Sequence, residues 1–199
     1  MIYNLATHIV TEFEKRGYLP LEDKGLIIYG FFSMFSKLFY ALICVVFGFL
    51  FRCILESIIF YIAFLFIKKY AGGFHASTEG RCMILSSLSI LLSVCSIRFF
   101  MMYPTLEKLS LVIVPLAGVI IAFLSPVEAD EKPLTDEEKK KYKIYSTLRI
   151  FTMLIAFGVL AILSYNSFSV CIGIAIILEC ILIVAGKYHQ VHGDKMEVL

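Results

Sequence analysis

The residues best suited to chemistry lie in one short stretch, KKYAGGFHASTEGRCM, from Lys68 to Met83. A histidine can take and return a proton near neutral pH and a cysteine thiolate is a nucleophile, so His75 and Cys82 together could carry acyl transfer. In one unbroken helix, seven residues would separate the two side chains by about 10.5 Å along the axis, too far for proton transfer. The chain must turn between them. Gly72 and Gly73 permit backbone angles that other residues avoid, and Ser77 or Thr78 can cap a new helix. Cys82 would then stand early in that helix, where the dipole and Arg81 favour the thiolate. Glu79 and Ser77 are candidates, by proximity in sequence, for a group orienting His75. The bland alternative is an imidazole bonded to a loop carbonyl and a cysteine packed at a helix start, since a histidine and a cysteine at this spacing form a weak motif.

The elements that must hold these residues are helices in lipid. Of 199 residues, 60% are hydrophobic and 17% charged, and the mean hydropathy is +0.88; a soluble domain carries about 25% charge. Apolar runs fall near 26–51, 54–67, 83–97, 109–124, 148–164 and 168–186, and a membrane span takes roughly 20 residues. The expected fold is an all-α integral membrane protein of about six transmembrane helices, one polytopic domain over 1–199. The second and third runs are short, so four spans with two tilted or re-entrant segments is the alternative. Ahead of them, residues 1–20 should form an interfacial amphipathic helix, with Ile2, Leu5, Ile9 and Phe13 at helical spacing. A cleaved targeting peptide is not expected at this start.

Lysine and arginine set the orientation, because cytoplasmic loops retain positive charge. With the N-terminus inside, fourteen basic residues fall in inside segments, and only Arg52, Arg98 and Lys108 outside. Both termini, the loop 68–82 and the basic loop 125–146 should therefore be cytoplasmic. In the second loop, Thr135 followed by Glu138 fits a capping box, so a helix should start there, before the membrane. The free thiol of Cys82 would persist in that reducing compartment. Cys44, Cys53, Cys95, Cys171 and Cys180 lie in or beside apolar runs, where cysteine behaves as a small hydrophobe.

The segment Gly72-Gly73-Phe74-His75-Ala76 with Cys82, the Tyr29-Gly30 pair, and the SPVEADEKPL loop before a lysine-rich helix resemble the accessory gene regulator B (AgrB) family. Its members are membrane cysteine peptidases that mature quorum-sensing propeptides in Gram-positive bacteria. The resemblance extends over most of the chain. Ser125-Pro126-Val127-Glu128 looks like the family's Ala-Pro loop, and Lys68 stands where an arginine is expected. The resemblance implies that Cys82 is the nucleophile and His75 the base and then the acid, with Gly72, Gly73, Ser77, Glu79 and Arg81 supporting them. It further implies a thioester acyl-enzyme, release of a (thio)lactone peptide, and no cofactor. The substrate would be a short propeptide with an amphipathic leader and an acidic tail. Lys68, Lys69, Lys139, Lys140 and Lys141 are candidates to dock that tail, although lysines here also serve as a positive-inside anchor. A homodimer in the bacterial cell membrane, with its active site at the cytoplasmic face, is what the family suggests.

Other classes fit less well. A net charge of +2 and the lack of a basic run interleaved with aromatics argue against nucleic-acid binding. A transporter could use Lys37 and Glu179, which lie inside apolar runs and could pair, but no paired halves are visible. A metal site could join His189 and His192 to His75 and Cys82; no metal is expected. A noncatalytic scaffold would survive loss of the Cys82 thiol.

Overall fold

A chain whose solvent is hydrocarbon must satisfy its backbone N–H and C=O groups within itself, and helices do this segment by segment. The computed structural model describes residues 2–16, 24–74, 78–103, 105, 107–128 and 134–196, the side chains of Glu107 and of residues beyond 191 excepted. Among them are seven α-helices: α1 (Ile2–Lys15), α2 (Lys24–Leu50), α3 (Ile54–Ala71), α4 (Glu79–Met102), α5 (Glu107–Leu124), α6 (Asp136–Ile162) and α7 (Asn166–Met196). Four of these, α2, α4, α6 and α7, are long and apolar enough to cross a membrane. α4 is one continuous helix of 24 residues, because it extends past the apolar run through a polar first turn and through Arg98. α3 has 18 residues but carries Glu56, Lys68 and Lys69. α5, also 18 residues long, holds Pro115.

The chain divides into two compact units, Met1–Ile43 and Cys44–Leu199. In the first, Ala6 and Val10 of α1 form a small core with Ile28 of α2, and Ile27, Phe31, Phe32 and Phe35 pack against it. Ile2 is buried too, whereas Leu5 and Phe13 stay exposed. The stripe read from the sequence is thus shared between two faces, one packed on protein and one left to its surroundings. Lys24 pairs with Glu14.

In the second unit α7 is the central helix, packed by α3, α4, α5 and α6. Burial within its span reaches 61%, against 22% for α4 and 17% for α6, so α7 is packed mostly on protein whereas α4 and α6 leave most of their spans exposed. Its small and branched residues from Val170 to Ile176 allow close approach all round. Cys171 joins that core, and Cys44 and Cys53 are buried at the α2–α3 turn. There the Cys44 thiol donates to the Ser57 carbonyl at 3.2 Å.

The α6 helix starts as its sequence dictates. Thr135 accepts from the Glu138 amide, and Glu138 accepts from the Thr135 amide, a complete capping box. Farther along, Arg149 lies between the rings of Phe66 and Tyr70, 4.4 and 4.3 Å from their centroids, and donates to the Phe66 carbonyl at 2.6 Å. It fastens α6 to the last turns of α3. Lys143 donates to the carbonyls of Ala122, Phe123 and Ser125 at 2.6, 2.8 and 2.8 Å. These belong to the C-terminal end of α5, where a helix leaves carbonyls without partners and a cation is favoured. Lys143→Met should therefore cost about 1–3 kcal/mol, lowering the thermal midpoint of the detergent-solubilised protein by several degrees, whereas Lys141→Met should leave it unchanged.

Candidate active site

Two irregular segments meet at one end of the second unit. α3 closes when the Gly72 amide donates to the Lys68 carbonyl at 3.2 Å. Gly72 then takes φ +79° and Gly73 φ +133°, conformations that L side chains rarely adopt. Turning here brings Gly72 into a parallel bridge with Val127, and the Val127 amide donates to the Ala71 carbonyl at 2.9 Å. A Cβ on Gly72 would be driven into the Val127 carbonyl oxygen, so the site requires glycine for both its angle and its space. The conformational role read for the two glycines is thereby accounted for.

α7 supplies the floor. The Phe74 amide donates to the Leu182 carbonyl at 2.9 Å, and the Phe74 ring meets His189 edge-on, centroids 5.7 Å apart. Gly186 faces the same loop: a Cβ there would stand 2.9 Å from a Val127 methyl and 3.0 Å from the Phe74 nitrogen. Gln190 donates to the Glu128 carbonyl at 2.9 Å. The spacing 182, 186, 190 is one face of a helix, and sequence reasoning missed it; a glycine near the end of the apolar part of α7 was the available signal.

Glu128 ties this loop to α6. Its carboxylate accepts from the Leu134 amide at 3.1 Å and pairs with Lys139 at 2.9 Å. The hydrogen bond from Lys139 is the main reason that its carboxyl is held below the ordinary value. Lys139 is therefore engaged within the chain by Glu128. Lys68 is half-buried, with its ammonium 5.3 Å from the Phe64 ring centroid. Lys69, Lys140 and Lys141 are exposed.

Beyond the loop, Thr78 is the N-cap of α4, its hydroxyl accepting from the Arg81 amide at 3.4 Å. The Cys82 amide donates to the Thr78 carbonyl at 3.0 Å, making it the first closed rung of the helix. Cys82 is a half-buried free thiol at the helix entrance, next to a turn whose leading amides have no carbonyl ahead of them. Glu79, Gly80 and Arg81 make up that turn. His75, Ala76 and Ser77 lie outside the described residues, and with them the geometry of the expected dyad and of Ser77 as its support. The same is true of the His192 side chain in the metal alternative. Among the described residues no three or more metal-ligating side chains come together.

The family model for accessory gene regulator B matches residues 2–183. An AgrB-like protein of Clostridium perfringens (strain SM101 / Type A) is 28% identical over 193 residues, covering 93% of this chain and 88% of the relative. AgrB-like protein 2 of Clostridium perfringens (strain 13 / Type A) is 28% identical over 176 residues, covering 84% and 80%. No solved structure matches the chain.

The Gly72–Val127 contact makes a sharp prediction. Gly72→Ala should break the bridge, and backbone strain of about 1–3 kcal/mol should speed hydrogen exchange of the Val127 and Phe74 amides roughly 10- to 100-fold. Gly80→Ala, which meets nothing within 4 Å, should leave both rates as they are.

Proposed function

The chain belongs to the accessory gene regulator B family, and from that premise we propose that it is a membrane-embedded cysteine endopeptidase that cleaves a quorum-sensing propeptide and helps cyclise it. The membership itself makes it a membrane protein of a quorum-sensing regulator system; the peptidase chemistry is the further step. The observation that carries this step is the setting of Cys82. It is a half-buried free thiol on the first closed rung of a capped helix, four residues past the Thr78 cap. Such a helix start offers leading backbone amides to an oxyanion.

In this reaction the Cys82 thiolate attacks the scissile carbonyl, and the tetrahedral intermediate collapses with rupture of the C–N bond. The leaving amine takes a proton from His75, which had received the thiol proton. The acyl group is now a thioester on Cys82. A thiol or hydroxyl within the peptide attacks that thioester, its proton passes to His75, and Cys82 leaves as thiolate while the ring closes. Thioester exchange conserves the activated bond, so limited water access at a lipid boundary protects the product from hydrolysis. The acidic tail of the propeptide would meet the exposed Lys69, Lys140 and Lys141, and its amphipathic leader would lie in the bilayer interface.

The basic-residue count supports an arrangement with six spans, both termini inside, and the site at the cytoplasmic face. α3 and α5 would supply the fifth and sixth crossings; at 18 residues each, they reach about 27 Å against a hydrocarbon thickness of about 30 Å. A homodimer completes the proposal.

Alanine substitution separates peptidase from scaffold. Cys82→Ala should abolish cleavage of the cognate propeptide in reconstituted vesicles, while alanine at Cys44, Cys53, Cys95, Cys171 or Cys180 should leave most of it. Chelators should have no effect. Cleavage by the Cys82→Ala protein would overturn the mechanism, and inhibition by a chelator that zinc reverses would favour the metal reading.

A further inference from the structure

The corner where α6 crosses the last turns of α3 holds two positive charges that no acid answers. Arg149 donates to the Phe66 carbonyl at 2.6 Å, and a guanidinium has five N–H groups to give. Lys69 is exposed. Among the described residues neither side chain forms an ion pair. Both lie on one ring: the Lys69 ammonium is 5.5 Å and the Arg149 guanidinium carbon 4.3 Å from the centroid of Tyr70. Two like charges so placed repel, and the half-buried guanidinium has lost part of its water. An anion beside them would offset both costs.

Depth says what kind of anion can reach them. Counted back from Ile162, Arg149 lies about 20 Å along the α6 axis, short of the about 30 Å of a hydrocarbon core. Its guanidinium therefore belongs just below the headgroups. The tyrosines mark the same boundary, since such rings collect at headgroup level: Tyr142 and Tyr145 of α6 pack on Tyr70, centroids 5.3 and 5.1 Å apart. Immediately deeper the surface is apolar and open. Ile62 lies one turn before Phe66 on α3, Leu148 follows Tyr145 at i+3 on α6, and both are exposed. A ligand that reaches Arg149 thus meets cations at one end and hydrocarbon at the other. An acidic peptide tail matches the first alone; a phospholipid matches both.

We propose that this corner binds an anionic phospholipid, its headgroup phosphate held by Lys69 and Arg149 and an acyl chain lying along Ile62 and Leu148. The planar guanidinium suits a phosphate because it can give two parallel N–H bonds to two oxygens. Stacking on Phe66 and Tyr70 already fixes its plane, so little side-chain freedom is lost on binding. Basic clefts between membrane helices at a leaflet surface are where such headgroups lodge. The site stands apart from the peptidase chemistry and does not depend on it.

The test is native mass spectrometry of the full chain in mild detergent, without propeptide, titrated with dioleoyl phosphatidylglycerol or with dioleoyl phosphatidylcholine, which has the same chains and phosphate but no net charge. Phosphatidylglycerol should be retained in preference. Lys69→Gln and Arg149→Gln should each weaken it about 5-fold, whereas Lys108→Gln, the same loss of charge at the exposed start of α5, should not. Lys69→Gln, at an exposed side chain, carries the test if Arg149→Gln does not fold. Glycerol 1-phosphate, the headgroup chemistry without acyl chains, should not displace the lipid. Equal retention of the two lipids, or the same weakening in Lys108→Gln, would overturn the site. So would displacement by glycerol 1-phosphate, which would assign it to a free phosphate compound. A hexaglutamate peptide that bound with dependence on Lys69 while phosphatidylglycerol did not would give the surface to an acidic peptide and overturn the proposal. Cleavage of propeptide by Cys82→Ala would instead strike the functional reading alone.

Discussion

The Val127 carbonyl lies where a side chain at position 72 would have to stand. Around that one close approach the functional end of the molecule is organised. Because Gly72 has no Cβ and can take a positive φ, the chain leaving α3 can turn onto the segment leaving α5, and the two exchange a short parallel bridge. Among the described residues, neither segment has a strand longer than that bridge. Each gets its order from the other and from α7, through the Phe74–Leu182 and Gln190–Glu128 hydrogen bonds. Lys143 at the end of α5 and Arg149 beside Phe66 and Tyr70 then bind α6 to the same corner.

This arrangement answers a problem specific to lipid. Irregular backbone at a membrane boundary carries N–H and C=O groups that need partners, and hydrocarbon offers none. The Ala71 and Leu182 carbonyls take the Val127 and Phe74 amides, and the Lys143 ammonium takes the exposed carbonyls at the end of α5.

Much of the local structure was legible in the sequence because it depends on neighbours. Thr135 and Glu138 form their capping box, Thr78 caps α4, and the glycine pair adopts positive φ. Apolar runs located the helices but cut them short: α3 continues through Lys68 and Lys69, and α4 begins at Glu79, because helical hydrogen bonding does not stop where hydropathy does. Long-range choices were not legible. Nothing local to Gly72 names Val127 as its partner, and nothing near Lys139 distinguishes an internal pair with Glu128 from a docking group. The central role of α7 follows from its contacts on several sides, which a hydrophobic run shared by lipid-facing helices does not reveal. The roles proposed for His75 and Cys82 rest on the family resemblance, since spacing alone left them open between chemistry and packing.

The chemistry proposed for Cys82 has a covalent signature. When the propeptide's ring-forming cysteine or serine is replaced by alanine, the internal attacker is gone and the acyl-enzyme should persist. The intact mass of the protein in nanodiscs, taken after mixing with that propeptide, should rise by the mass of the N-terminal acyl fragment. The added mass should map to Cys82 and be released by hydroxylamine, as a thioester is. An unmodified Cys82 alongside normal release of the acidic tail would contradict the acyl-enzyme, and with it the assignment of this thiol as the nucleophile.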